Sequence, residues 1–486
     1  MRTFQDLEQI TGETARAEFC RDAIREFKNS RAYKEAQAGE AYYNKHNLTI
    51  EAYQKSITTL SGATRPDYIS ANYKLKTLFF RRLVLQQVNY VLGNGVTLQN
   101  AENKEKLGKD FDFQLVNCAK RAMASGVAFG FWNLDHLEVF GFADTPAQAG
   151  FCPLYDEHTS KLRAGIRFWF RYVNEKEILR CTLYEEDGYT EYKLDPDETV
   201  VLKDKQAYIK KWKETPEGVI EDVTDQNYGS LPIIPLYAND THESELNGIR
   251  ECVDCYDLIK SGLANNIDDS SEIYWVLKNT GGMDDLDVAM FLQRLKTVHG
   301  AVVDGDQGAD AEAHQIDVPT NARTAMLELI RKDIYEDFQA LDVNTLSASA
   351  KTTQEIQASY QAQDNKCADF EYFMIDFVQK ILALAEIDDE PTFVWNKIIN
   401  QLEQTQMIMS CANYLPQDML IKHLPFLTPE EADEAIAQSE ADDYAQFNAE
   451  DENEDVEDDS EGETDNSDME ALNALLDELL EELGDE

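Results

Sequence analysis

An α+β fold, with its strands gathered into one block between helical segments, is what this 486-residue chain predicts. Three observations predict it. From Val127 to Val201 aromatic and β-branched residues alternate with polar ones, as in Ile166-Arg167-Phe168-Trp169-Phe170-Arg171-Tyr172-Val173, which is the period-two pattern of strands. On both sides of that block apolar residues recur at helical spacing, most clearly from Leu246 to Ile267. The C-terminal segment then abandons both patterns for a run of acids.

Taken in order, residues 3–60 read as helices in which Phe19, Ile24 and Phe27 recur among charges, with breaks at Gly39 and at Asn44 to Asn47. Asn72 to Leu92 reads as one strongly apolar helix carrying Lys74, Lys76, Arg81 and Arg82 and stopped by Gly93-Asn94-Gly95. Pro232 and Pro235 close the strand block, because proline gives no ladder hydrogen bond. Leu246, Ile249, Val253, Tyr256, Ile259, Leu263 and Ile267 then draw an apolar stripe down a helix of about 27 residues, roughly 40 Å long. Its opposite face carries Glu243, Glu251, Asp254, Asp257 and Asp268.

A small mixed insert follows. Ile273 to Leu277 reads as a strand, Gly281-Gly282 as a turn, Leu286 to Leu295 as a short helix and Ala301 to Val303 as a strand. The loop Asp304 to Glu312 then leads into a strand at Val318. A second helix, Asn321 to Leu341, carries Met326, Leu329, Ile330, Ile334, Phe338 and Leu341 on one face and ends in the small polar stretch Asp342 to Lys351. A third runs from Thr353 to Glu386 with Ile356, Tyr360, Phe370, Phe373, Met374, Phe377 and Ile381 on its stripe; polar Gln361 to Cys367 allows a kink or a solvent-exposed stretch. Further helices are expected at Trp395 to Cys411 and Glu430 to Gln438. Asp442 to Asp468 is nearly pure Asp, Glu, Ser, Asn and Gly and is expected to be disordered. Met469, Leu472, Leu475, Leu476, Leu479, Leu480 and Leu483 form an amphipathic helix after it.

Charge narrows the function. Against 93 Asp and Glu stand 44 Lys and Arg, a net −49. From Leu424 to Glu486 there are 26 acids and no Lys or Arg, which leaves −23 on residues 1–423. Such a surface repels phosphate and anionic lipid, so capture of nucleic acid through general basicity is excluded. No run of 18 apolar residues could span a bilayer, and the opening Met-Arg-Thr-Phe-Gln-Asp-Leu-Glu has no apolar signal core, so a soluble product of a cytoplasm is expected.

Motifs for chemistry are missing. Phosphate-cradling loops, HExxH and GxSxG do not occur, and the seven histidines share no ligand spacing. Cys252-x-x-Cys255 lies in the helical stripe without a second ligand pair, so both read as buried thiols. Asp304, Asp306, Asp310 and Glu312 suggest a calcium loop, but the glycine is fifth and the twelfth residue is Gln315, so a solvated turn is the reading. No catalytic residue, metal site or cofactor is expected.

The order of elements is more telling: strand block, long helix, small insert, second helix, Ser/Ala stretch, third helix, acidic end. In this order the chain resembles the portal proteins of long-tailed bacteriophages over roughly residues 60–440. The resemblance rests on Asn72-Tyr73 leading to Asn89-Tyr90-Val91-Leu92-Gly93-Asn94, on Leu231-Pro232-Ile233-Ile234-Pro235-Leu236-Tyr237-Ala238-Asn239, and on Asp254-Cys255-Tyr256-Asp257 continued by Ser261 and Asn265-Asn266.

That resemblance implies a portal-type fold and a closed ring oligomer of twelve subunits at one capsid vertex. Duplex DNA is packaged through it by the terminase large subunit and later ejected. By position it implies a strand-rich wing at 56–240, stem helices at 241–271 and 321–342 and a clip at 272–320 between them, after the helical segment read from the residues at 1–55. It further implies a tunnel loop at 343–352, a long kinked wing helix at 353–386 and a helical crown at 387–441; the acidic linker at 442–468 and the terminal helix at 469–486 are read from the residues themselves. Asn344, Thr345, Leu346, Ser347, Ser349 and Lys351 would face DNA. Leu246, Ile249, Val253, Tyr256, Ile259 and Leu263 with Met326, Leu329, Ile330, Ile334 and Phe338 would form the stem interface. The family's tunnel loop commonly carries Ser-Gly; here Ser347-Ala348 or Ser349-Ala350 stands nearest. Other implied partners are head-completion or adaptor protein, scaffold and major capsid protein, with no membrane; the tail itself, outside the resemblance, reads either as a solvated, solubilising extension or as a partner hook through Leu472, Leu475, Leu476, Leu479 and Leu480. The location is the virion.

Elementary physics agrees with a channel: a rod bearing one charge per about 1.7 Å slides past an acidic wall and sticks to a basic one. Two other classes compete, an acidic phage-encoded enzyme such as a metal-dependent nuclease or transferase, and a monomeric acidic adaptor or chaperone.

Overall fold

The computed structural model describes residues 2–58, 62–67, 71–146, 148–173, 176–194, 199–214, 220–270, 274–278, 290, 293, 310–314, 320–343, 353–396, 408–410, 414–422, 424, 432 and 435–438. It falls into two units, Met1–Lys397 and Ile398–Glu486.

The first unit begins with α1 (Phe4–Glu8), α2 (Glu13–Asn29), α3 (Arg31–Tyr43), α4 (Leu48–Ala52), the hairpin β1 (Ser56–Thr58) and β2 (Thr64–Pro66), α5 (Phe79–Leu92), β3 (Val96–Leu98), α6 (Ala101–Glu105) and α7 (Phe111–Ser125). Strands follow: β4 (Val127–Asn133), β5 (His136–Gly141), β6 (Gly150–Tyr155), β7 (Leu162–Val173), β8 (Lys176–Glu185), β9 (Gly188–Leu194), β10 (Thr199–Gln206), β11 (Ile209–Glu214), β12 (Ile220–Gln226) and β13 (Ile233–Tyr237). After them come α8 (Arg250–Ser270), β14 (Tyr274–Lys278), β15 (Asp310–His314), α9 (Thr320–Phe338), α10 (Thr353–Leu384) and β16 (Pro391–Phe393). In the second unit the described residues include α11 (Gln417–Lys422).

Eight strands form one sheet in the order β10-β9-β8-β7-β6-β5-β4-β13. It is antiparallel except where β5 and β6 meet in parallel at Gly141 and Gly150. Helices cover both faces. On one, Phe19, Ile24 and Phe27 of α2 pack with Phe129, Phe151 and Phe168, and the Phe27 ring stands edge-on to Phe142 at 4.9 Å. On the other, Trp132, Leu137 and Leu236 pack with Cys118 and Ala122 of α7 and with Phe370, Met374 and Phe377 of α10. Gly130 lets the long helix in: a Cβ there would lie 2.5 Å from the Phe377 ring.

The strand block and the third long helix stand where the periodicity puts them, and the structure corrects several details. Gly39 does not break a helix. The break is at Ser30, whose Oγ accepts the Tyr33 N–H at 3.2 Å, and Gly39 lies inside α3 because a side chain there would run into the Ala124 carbonyl. Pro235 does not end the strands but sits in β13, an edge strand paired only with β4, where its missing N–H leaves no ladder bond unmade.

The stripe helix is shorter than predicted. It starts at Arg250, because the segment before it is tied to the end of α7: Glu245 N–H donates to the Met123 carbonyl at 3.0 Å and Ser244 Oγ to the Ala124 carbonyl at 2.6 Å. Leu246 and Ile249 are therefore buried in turns ahead of the helix. Residues 72–78 are not helical, and α5 begins only at Phe79. In the insert, β15 starts at Asp310 and pairs with β14, so Asp310 and Glu312 belong to a ladder rather than to a loop. The expected helix at Leu286 to Leu295 and strand at Ala301 to Val303 lie outside the described residues, apart from 290 and 293. Helix α10 runs without interruption through Gln361 to Cys367, and Gln363 and Cys367 are buried rather than exposed. Cys255 is exposed and Cys252 half-buried, against the buried-thiol expectation, because the core-facing stripe runs through Val253 and Tyr256.

Candidate functional site

The two helices flanking the insert, α8 and α9, pack on each other and on the end of α5. Tyr256 of α8 and Tyr335 of α9 both stand edge-on to Phe79, at 4.9 and 6.4 Å between ring centres. At this end the stripe is absorbed into the chain's own core: Val253, Ile330, Ile334 and Phe338 are buried, as are Leu246 and Ile249, and Tyr256 and Ile259 pack against them. Toward the insert the same helices emerge. Leu263 is half-buried, while Ile267 is 52% exposed, Met326 42% and Leu329 54%.

The opposite face of α8 is only partly a solvent face: Glu251 and Asp268 are exposed. Asp257, Ser261 and Asn265 are buried, and each takes the N–H of an alternate residue of the segment before α5. Asn265 Oδ1 accepts from Tyr73 N–H at 2.6 Å, Ser261 Oγ from Leu75 N–H at 3.0 Å, and Asp257 Oδ1 from Thr77 N–H at 3.1 Å. The spacing has a simple origin. Four residues of helix advance about 6.0 Å and two residues of extended chain about 6.6 Å, so side chains at i, i+4 and i+8 meet every second amide of a strap running the other way. Those donors are lost to an α-helix, which is why residues 72–78 stay extended despite their apolar content.

The ladder continues into the N-terminal helices. Asn47 caps α4 by accepting the Ile50 N–H at 3.0 Å, receives the Tyr42 hydroxyl at 3.1 Å and donates to Asp257 Oδ2 at 2.9 Å. Asp254, one turn earlier on α8, accepts from Tyr42 at 2.5 Å and from Thr49 at 2.7 Å. Burial pushes the Asp257 carboxyl above its ordinary value, against the opposing pull of Thr77, Asn47 and Lys260. Lys76 pairs with Glu51 at 2.6 Å and pins the strap from outside.

A family model described as phage portal protein, SPP1 Gp6-like, matches residues 26–446. The chain belongs to that family. The portal protein of Clostridium phage phiCD119 is 24% identical over 451 residues, covering 85% of this chain and 95% of that protein. The portal protein of Bacillus phage SPP1 is 23% identical over 434 residues, 84% of each. Among solved structures, the neck of an empty gene transfer agent particle aligns with 71% of this chain and 88% of its own at 10% identity and a TM-score of 0.40. The virion of a native gene transfer agent particle aligns with 70% and 88%, at 10% identity and a TM-score of 0.41.

Portal proteins are structural components of phage particles, so the enzyme reading is set aside on the family. Among the described residues no group of three or more His, Cys, Asp or Glu could hold a metal, and no helix is long and apolar enough to cross a membrane.

Asn344, Thr345, Leu346, Ser347, Ser349 and Lys351 lie outside the described residues, as do Leu472, Leu475, Leu476, Leu479 and Leu480. The Asp257, Ser261 and Asn265 pattern stood in the sequence as part of the resemblance, but what it binds did not. Polar residues at i, i+4 and i+8, opposite the apolar stripe, were the available signal; their partner strap looked like helix.

Proposed function

We propose that copies of this chain close into a ring at one vertex of the phage capsid, with α8 and α9 of each copy forming the wall of a DNA channel. Through it the terminase packages the genome, and from it the genome leaves after head-completion proteins and tail have joined. The observation that carries this reading is the stem's unfinished apolar surface. Ile267, Met326 and Leu329 are exposed on the two helices where they leave the core, and a ring of identical stems would cover them by a heterologous contact repeated around the axis. The insert, with its β14–β15 ladder, would be the clip that meets the motor, residues 343–352 the loop beside DNA, and 387–441 the crown. The −23 carried by residues 1–423 suits a wall along which phosphate slides.

Negative-stain electron microscopy of the purified chain, with its mass in solution, tests this. Rings of about a dozen copies with a stain-filled centre are expected. A compact monomer would remove the proposal and favour the acidic adaptor.

A further inference from the structure

The two edge strands of the eight-stranded sheet each pair on one side only, and they are built in opposite ways. At β10 the edge is guarded. Its ladder with β9 shifts register between Val201 and Lys203 and again between Lys203 and Gln206, and it exposes Lys203, Asp204 and Lys205; bulges and charges together disfavour a further strand. At β13 the register runs unbroken from Ile233 to Tyr237 and the strand carries no charge. Native proteins cover or blunt such an edge, and Pro235 blunts only its own position.

The backbone shows what is left open. Trp132 N–H donates to the Pro232 carbonyl at 2.9 Å and Ala238 N–H to the Gly126 carbonyl at 3.0 Å, so residues 232, 234, 236 and 238 bond to β4. The N–H and C=O of Ile233 and Tyr237 and the C=O of Pro235 therefore point away from it, and no described residue bonds to them. Ile233 is only 3% exposed, so water reaches its outward groups poorly. They border a groove of about 690 Å³ walled by Leu162 of β7, by Tyr228 and Leu231, and by Ala383 and Leu384 of α10. An extended segment laid along this edge would take up the free groups as a further strand.

The chain itself offers such a segment. Strands β11 and β12 pair only with each other among the described residues, and a two-stranded ribbon is marginal alone in water. Charge selects between them. The groove is lined by Lys161, Arg163 and Lys380; Glu186 pairs with Arg163 at 2.7 Å and Asp376 with Lys380 at 2.6 Å, so its balance is neutral to positive. It suits β12, with Glu221, Asp222 and Asp225, better than β11, with Lys210, Lys211 and Lys213. Within one chain β12 does not fill the edge, since β13 pairs with β4 alone. We propose that β12 of a second copy of the chain lies in this groove and extends the sheet. A closed ring joins two different faces of each subunit, and a hairpin on one face with an open sheet edge on the other is such a pair. The proposal rests on the ring reading.

The test places the photoreactive residue p-benzoylphenylalanine at exposed position 225 of ¹⁵N-labelled full-length chain, mixes it with unlabelled chain and irradiates after assembly. Mass spectrometry should find it joined to residues 231–237 or 380–384 of the unlabelled copy, and hydrogen exchange at the Ile233 and Tyr237 amides should slow on assembly. Two variants approach the contact from its two sides. Ala383→Trp, at an exposed position of the groove wall, and Asp222→Lys with Asp225→Lys on β12 should each raise the concentration needed for assembly by about tenfold in sedimentation, with the thermal midpoint of the free subunit little changed. Links confined to one label would seat the hairpin on its own chain. Links to another segment of the second copy, or rings with no link and normal assembly of both variants, would leave the groove to a different occupant. Each of these results overturns the contact while the ring stands, and parent chain that never assembles overturns both.

Discussion

Asp257, Ser261 and Asn265 show what a single side chain does in this protein. Each replaces a hydrogen-bonding partner that residues 72–78 would otherwise find in a helix, and each is itself buried. Asn265→Ala leaves the Tyr73 N–H without its acceptor, and a loss of about 1–3 kcal/mol is expected in urea unfolding monitored by circular dichroism. Asp257 adds a pH signature. Its folded pKa lies above the ordinary 3.8, so the folded state holds the proton more tightly than the unfolded one. Its burial penalty is therefore relieved as pH falls through the folded value, and no further change comes below the unfolded one. Asp257→Asn has no such proton to take up. Parent stability minus variant stability should therefore rise from neutral pH down toward the ordinary carboxylate range, and a difference that falls would contradict the assignment. Lys351 belongs to this scale too: as the one cation of the proposed tunnel loop it should touch the DNA backbone, and a Lys351→Ala phage should package or eject more slowly.

At the scale of elements, α2 and the two stem helices make opposite use of apolar faces. Helix α2 buries Ala17, Phe19, Cys20, Ala23, Ile24 and Phe27 against the sheet, so its whole stripe is consumed within the chain. Phe27→Ala should cost about 3–5 kcal/mol, read as a lower urea midpoint. Helices α8 and α9 hide their stripe only at the wing end. Met326→Asp with Leu329→Asp should change subunit stability by less than about 0.5 kcal/mol, since both positions are exposed, yet should block ring formation in sedimentation. The helices themselves were legible, because a stripe over several turns admits no other reading. Their ends were not: the start of α8 is set by bonds from Ser244 and Glu245 to the end of α7, over a hundred residues away in sequence. Helix α7 also carried a readable signal, with Phe111, Leu115, Cys118 and Ala122 recurring at helical spacing.

For the whole molecule the governing quantity is charge. At −49, with 26 acids and no Lys or Arg from Leu424 onward, the chain repels DNA, membranes and its own copies, so any assembly depends on apolar contact and local pairing. If the Leu472, Leu475, Leu476, Leu479 and Leu480 face docks on scaffold or capsid protein, deleting residues 468–486 should lower incorporation into capsids without preventing ring formation. Unchanged incorporation would leave the tail as a solubilising extension.

By itself the sequence determined the class of fold, the order of its parts, the acidic surface and the family resemblance, because periodicity, composition and motif order are properties of the chain read along its length. Only the tertiary structure decided which stripe residues are covered and which are left exposed, and that residues 72–78 are a strap rather than a helix. Each of those depends on groups far apart in sequence competing for the same hydrogen bond or the same buried surface, and that competition is settled only when the chain has folded.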